Sequence, residues 1–254
     1  MQAVKVFRVS IIIIVLSITL SINSYAQLTG FKVSAGLSTI EIIGNNIAQY
    51  PLIWNKPEGK LYGGSFDQSQ NGFRLEAIFP LDTSEIFEIP VGFEYIFFRG
   101  RERLPMSEVS DIKFKHDIDV AVVTLGFFYT YYDIKPFKLR AKFYTGVDTR
   151  TSFIGQGRKE TTLNYSIDKP EKISINTKES AIRFGGALMF GLNGELSDNV
   201  SIDFRAGLGL MNLLGKNDER GELFTPQKET SDYKESGETT VYDFHFAMLF
   251  QYRL

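Results

Sequence analysis

Residues 239–254 read TTVYDFHFAMLFQYRL and alternate without a break to the last residue. Tyr242, Phe244, Phe246, Met248, Phe250, Tyr252 and Leu254 fall on one side of an extended chain. Val241, Asp243, His245, Ala247, Leu249, Gln251 and Arg253 fall on the other. A period of two marks a strand whose faces meet different surroundings. Here one face is apolar and aromatic, and the other carries Asp, His, Gln and Arg. A water-soluble fold seldom leaves such a strand at its C-terminus. A membrane-spanning barrel closes on it and turns its apolar face to lipid.

Seven further segments repeat the pattern: 30–42, 72–79, 86–98, 117–132, 137–150, 181–193 and 200–212. The one at 137–150 is the cleanest, with Phe137, Leu139, Ala141, Phe143 and Val147 opposing Lys138, Arg140, Lys142, Asp148 and Arg150. The one at 117–132 is the least regular, because Val120, Val122 and Phe128 sit on the side that should be polar. Pro90 interrupts the third segment, and a bulge there would accommodate it. Turn-forming residues at 80–85, 133–136 and 194–199 join segments two to three, four to five and six to seven. Longer polar stretches at 43–71, 99–116, 151–180 and 213–238 follow the odd-numbered segments. Short turns on one rim and long loops on the other are the asymmetry of bacterial membrane barrels, and an even strand count leaves both termini on the short-turn rim. The fold expected is therefore all-β, an eight-stranded antiparallel up-and-down transmembrane β-barrel, with its long loops extracellular and both termini periplasmic.

The N-terminus fits that location. Lys5 and Arg8 precede an apolar run at 10–22, and Ser24-Tyr25-Ala26 places small residues where signal peptidase cuts. The run is shorter than the ~20 residues of a spanning helix. Residues 1–26 thus read as a signal peptide, and 27–254 as one barrel domain. No cysteine occurs, which removes disulfides, thiolate metal sites, a cysteine nucleophile and lipoprotein processing. A net charge of −2 argues against nucleic acid as a partner. The 22 Phe, 12 Tyr and 22 Gly suit strands that meet lipid on one side and a crowded lumen on the other.

Alternation alone does not say which face is inside, since a soluble lipid-carrier barrel would turn its apolar face inward. Three features favour the membrane. Phe79, Phe87, Tyr129, Tyr131, Phe137, Phe190, Phe250 and Tyr252 gather near the short-turn rim, where an aromatic girdle belongs. The polar face mixes charge with glycine, as a lumen requires and a solvated wall does not. The chain also stops inside its last strand.

The opening strand Phe31-Lys32-Val33-Ser34-Ala35-Gly36-Leu37, the strand count and the Phe250-Gln251-Tyr252-Arg253-Leu254 end together resemble the small outer-membrane barrel families. These include the OmpA-type transmembrane domain and the PorT-like outer-membrane barrel domain. Leu254 stands where the usual terminal residue is Phe. The resemblance implies a Gram-negative outer-membrane location, insertion by the barrel assembly machinery, and no catalytic residues.

An eight-stranded cylinder is just wide enough for its own side chains. The inward acids Glu76, Glu88, Glu94, Asp148, Asp203 and Asp243 and the bases Arg74, Lys138, Arg140, Lys142, Arg150, Arg183, Arg205 and Arg253 are expected to pair in a packed network that includes His245. A narrow solute channel is the first rival. A lipid-modifying barrel enzyme is the second, because Asp243 lies two residues from His245 on one face and the two could hydrogen-bond. No nucleophile motif accompanies them. His116 beside Asp117 is placed at a loop edge and is too little for a metal. Gly207-Leu208-Gly209 sits mid-strand and is no phosphate loop. Tyr50, Trp54 and Tyr62 in the first long loop form an apolar cluster that either meets a partner or packs on the rim and folds over the lumen. The expected protein is a monomer without cofactor, structural or interacting through its loops. Its partners are outer-membrane lipid and lipopolysaccharide, the assembly machinery and an extracellular or envelope protein.

Overall fold

The structure, a computed structural model, describes residues 30–43, 50–52, 61–63, 66, 69–107, 110–135, 139–155, 157–165, 171–178, 180–215 and 240–254. Twelve strands follow in chain order: β1 Lys32–Ile43, β2 Tyr50–Leu52, β3 Leu61–Gly63, β4 Gln70–Pro80, β5 Phe87–Ser107, β6 Ser110–Ile134, β7 Arg140–Ile154, β8 Gly157–Tyr165, β9 Glu171–Lys178, β10 Ala181–Glu195, β11 Val200–Leu214 and β12 Tyr242–Arg253. Eight of them close a ring, β1-β4-β5-β6-β7-β10-β11-β12, in which each strand runs antiparallel to its neighbours. The seam is β1 against β12, from Lys32 opposite Arg253 to Ile43 opposite Tyr242. Closure removes the unpaired edges that an open sheet would present.

The two faces of the ring are sharply different. Leu37, Leu75, Leu125, Leu188, Leu208 and Phe250 point away from the axis and are exposed, while Arg74, Asp203 and His245 point inward and are buried. A one-residue slip of any strand would exchange those environments, so the alternation itself pins the register. Phe87 lies against Tyr129 with ring centroids 5.3 Å apart on the outer wall near the short-turn rim. Phe190, Phe250 and Tyr252 are also exposed on that wall. Phe137 and Lys138 lie outside the described residues, and β7 begins at Arg140 rather than at 137.

Three expectations are corrected. The stretch 99–116 is not a loop: β5 and β6 continue as one hairpin to Ser107 opposite Ser110. Period two persists there with its chemistry reversed, so that Arg99, Arg101 and Arg103 take the outer face after Phe97, and Phe98 and Ile118 are buried inside. The stretch 151–180 likewise contains the hairpin β8–β9, and β8 pairs with the end of β6 from Asp117 opposite Arg158 to Ser110 opposite Tyr165. A four-stranded antiparallel wing, β5-β6-β8-β9, therefore extends beyond the ring on one side. Finally, Pro90 needs no bulge. The β5–β6 register runs evenly from Glu88 opposite Phe128 to Val91 opposite Leu125. Gly126 makes the room, because a Cβ there would stand 2.8 Å from the Pro90 ring and 2.2 Å from Asp148.

Candidate functional site

The lumen is built in three layers. At the short-turn rim, the turn at 81–86 folds inward and carries Glu85 beneath the cylinder. Its φ of +54° is left-handed, a conformation that costs a residue with a Cβ about 1–3 kcal/mol. The turn is held in that shape by Asp82, whose carboxylate accepts from the amides of Ser84, Ile86 and Phe87, each at 3.0 Å. Glu85 then ties three strands together through Lys32 at 2.8 Å, Lys142 at 2.8 Å and Arg253 at 2.6 Å. Burial alone would raise its pKa, but Lys32 and Lys142 hold it down to about 2. Glu88 pairs with Lys32 at 2.6 Å. Arg140, read as a lumen charge, sits half-buried at this rim, held by Asp133 and by Glu195, which Lys142 also meets.

The middle layer is a network of ion pairs removed from water. Arg74 is fully buried and reaches Glu76 at 2.6 Å and Asp148 at 2.8 Å, with Glu94 at 3.6 Å. Arg205 bridges Glu76 at 2.8 Å and Asp203 at 2.5 Å. Tyr144 donates to Asp203 at 2.8 Å, accepts from Arg205 at 2.8 Å, and stacks on Phe128 with centroids 5.0 Å apart. The Arg205 guanidinium lies 4.7 Å over the Phe128 ring. Gly191 opposite Tyr144 leaves space for this phenol, since a Cβ would stand 2.1 Å from it. Arg150 pairs with Asp243 at 2.8 Å, and Arg183 is wholly buried in the same lumen.

The histidine of β12 differs from expectation. Asp243 and His245 do not bond to each other. Asp243 takes Arg150, and His245 Nε2 lies 2.9 Å from Glu94 on the facing wall. Residues two apart on a strand project side by side, so the partner across a narrow lumen wins. Among the described residues no cluster of three or more His, Cys, Asp or Glu could hold a metal.

The third layer, at the long-loop rim, is apolar. Ile40, Ile96, Phe98, Ile118, Val120, Val122, Ile154, Met211 and Val241 face one another across the lumen and are buried. Phe66, from the first long loop, is 3% exposed and joins them. Its ring stacks on His116 at 4.4 Å and meets Phe98 edge-on at 5.5 Å. His116, expected at a loop edge, is instead buried on β6. Tyr50 and Tyr62 fall in the short hairpin β2–β3, where Tyr62 pairs with Pro51, and Trp54 lies outside the described residues. Sequence reading missed both Glu85 and Phe66, because each sits in a connection rather than on an alternating strand. The apolar layer did leave a trace in Val120 and Val122, while Phe128, the third apolar residue on that side, belongs to the middle layer beneath Arg205.

A cavity of about 10 Å³ lies between the lower two layers, lined by Lys32, Glu88, Tyr144 and Arg205 among others. That is room for about one water. Such a lumen can hold the cylinder shut and rigid.

The sequence matches no protein-family model and no curated protein. Among solved structures, Neisserial surface protein A aligns over 88% of this chain and 97% of its own, at 12% identity and a TM-score of 0.45. The attachment invasion locus protein Ail of Yersinia pestis aligns over 89% of this chain and 99% of its own, at 14% identity and 0.34. The toluene transporter TbuX of Ralstonia pickettii aligns over 89% and 90%, at 10% identity and 0.20. The fold assignment accordingly rests on this chain's own strand pairing.

Proposed function

We propose that the protein is a monomeric Gram-negative outer-membrane barrel with a closed lumen, and that it works through its outward loops and wing rather than by passing solutes. One observation carries this reading: an apolar wall on the outside surrounds a lumen filled by a buried ion network and capped by apolar side chains. In this reading residues 1–26 are a signal peptide that is removed, the barrel assembly machinery inserts the rest, and the PorT-like and OmpA-type resemblance of β1 and β12 reflects that route. The charged residues of the lumen serve as structural pairs, and no catalytic role is assigned to His245.

Two measurements test it. Single cysteines at Arg101 and Lys159 should react with an impermeant maleimide on intact cells, and cysteines at Ser84 and Asp198 should not. Labelling of the second pair without lysis overturns the orientation. Planar-bilayer recordings of the purified barrel should stay silent, and steady unitary currents would replace this reading with that of a narrow channel.

A further inference from the structure

The outer wall changes character abruptly along β5. Tyr95 and Phe97 belong to the apolar belt, and the next three outward positions are Arg99, Arg101 and Arg103. Arg99 marks the boundary, its guanidinium standing 5.4 Å over the Phe97 ring. On β6 the outward positions beside them are Lys113 and Lys115, with Asp111, Asp117 and Asp119. The three acids are already engaged: Asp119 by Arg99 at 2.6 Å, Asp117 by Arg101 at 2.6 Å, and Asp111 by Arg103. Among the described outward positions of β5 and β6, five cations stand against three carboxylates, an excess of two positive charges. Lys113 and Lys115 are both exposed, Lys115 lies 3.4 Å from the Asp117 carboxylate that Arg101 also holds, and on β8 Glu160 stands opposite Lys115 while Arg158 stands opposite Asp117. At the same height on β1 and β4 the outward residues are Thr39 and Asn71, which hydrogen-bond each other at 2.8 Å, and Glu41 follows. The basic face thus lies on the wing, directly above the apolar belt, and does not extend onto the described outward residues of β1 and β4 at that height.

We propose that this outer face of the wing binds the phosphate groups of a lipid-A-type glycolipid in the surrounding outer leaflet. The site rests on the outer-membrane reading above and adds its ligand. A phosphate at the top of the acyl region lies level with the Phe97–Arg99 boundary, so a lipid seated against Tyr95 and Phe97 brings its headgroup to Lys113 and Lys115. Guanidinium and ammonium donors are the partners that phosphate oxygens take. The arginines, each tied to an aspartate, hold the face rigid, and the excess charge is presented by exposed Lys113 together with Lys115, which shares Asp117 with Arg101.

The test uses the full barrel in neutral detergent, titrated with diphosphorylated lipid A and with the same lipid stripped of phosphate. The wild type should bind the phosphorylated form about thirtyfold more tightly, the equivalent of two lysines near an anionic lipid surface. Lys113→Ser/Lys115→Ser should lose that preference, and Glu41→Ser should keep it. Equal affinity of the wild type for both lipids overturns the site, as does an unchanged preference in the double variant. Displacement of the lipid by equimolar inorganic phosphate overturns the headgroup assignment. These results leave the barrel reading untouched, because that reading fails separately, by labelling of Ser84→Cys on intact cells.

Discussion

The two ends of the lumen solve the same packing problem with opposite chemistry. Toward the short turns the cylinder is filled by Arg74, Glu76, Asp148, Asp203 and Arg205, each of which needs a partner on another strand. Toward the long loops it is filled by Ile96, Phe98, Ile118 and Val120, which need only be covered. The first arrangement is directional, and removing one member strands the others. The second is not, and a missing side chain leaves a void that neighbours partly close. The apolar end also keeps water from the charged end, which strengthens each pair there and raises the penalty for breaking one.

The sharpest way to break this contrast is Arg74→Ala. It leaves Glu76 and Asp148 buried without their shared cation, at an expected cost of about 3–5 kcal/mol. Urea unfolding of the barrel in lipid vesicles, followed by circular dichroism, reads the loss. A cost below that of an outer-wall substitution would mean that water reaches the network. The outer wall sets the next level. Leu208 is 54% exposed and points away from the axis. Leu208→Arg should cost about 2–4 kcal/mol in a bilayer if the position lies near its midplane. It should cost almost nothing in a soluble barrel, so one variant separates the two settings.

Phe66→Ala probes the apolar end. The ring is buried against Phe98 and His116. Its loss should cost about 1.5–3 kcal/mol, the burial value of one such side chain. The first long loop should also become more open to protease, because Phe66 is its anchor in the lumen. Unaltered cleavage together with unaltered stability would show that the cap holds without it.

These regions were unequally legible in the sequence. Inward and outward positions followed from period two, since Arg74, Asp148, Arg205 and Asp243 fall on one face whatever their partners are. The partners themselves did not follow. Strand tilt decides which residues meet across the lumen, and alternation carries no trace of it, so His245 was set beside Asp243 and not Glu94. The wing was overlooked for a different reason. Its strands keep the period but exchange the faces, with Arg99 outward and Phe98 inward, and a reader following apolar residues outward stops at the crossing. Glu85 was hidden by its place in a turn, where acids are ordinarily solvated.

Glu85 gives the smallest effect and the one that can be dialled by pH. Lys32 and Lys142 hold its carboxyl at about 2 in the folded barrel, below the ordinary value of 4.5. A group whose pKa is depressed on folding stabilises the fold above its unfolded pKa. That contribution is lost as pH falls through the folded one. The stabilisation should therefore be complete above about pH 5 and drain away between about pH 4.5 and 2. The rim is partly open to water, so screening limits the effect to about 1 kcal/mol. Glu85→Gln removes the titrating group while preserving its size. The wild type should be the more stable at pH 7, and the two should converge near pH 2, where the wild type too has lost its carboxylate tie at this rim. Parallel curves over that range would show that the cations at the short-turn rim do not depend on this carboxylate, and that the turn held by Asp82 keeps its left-handed residue for some other reason.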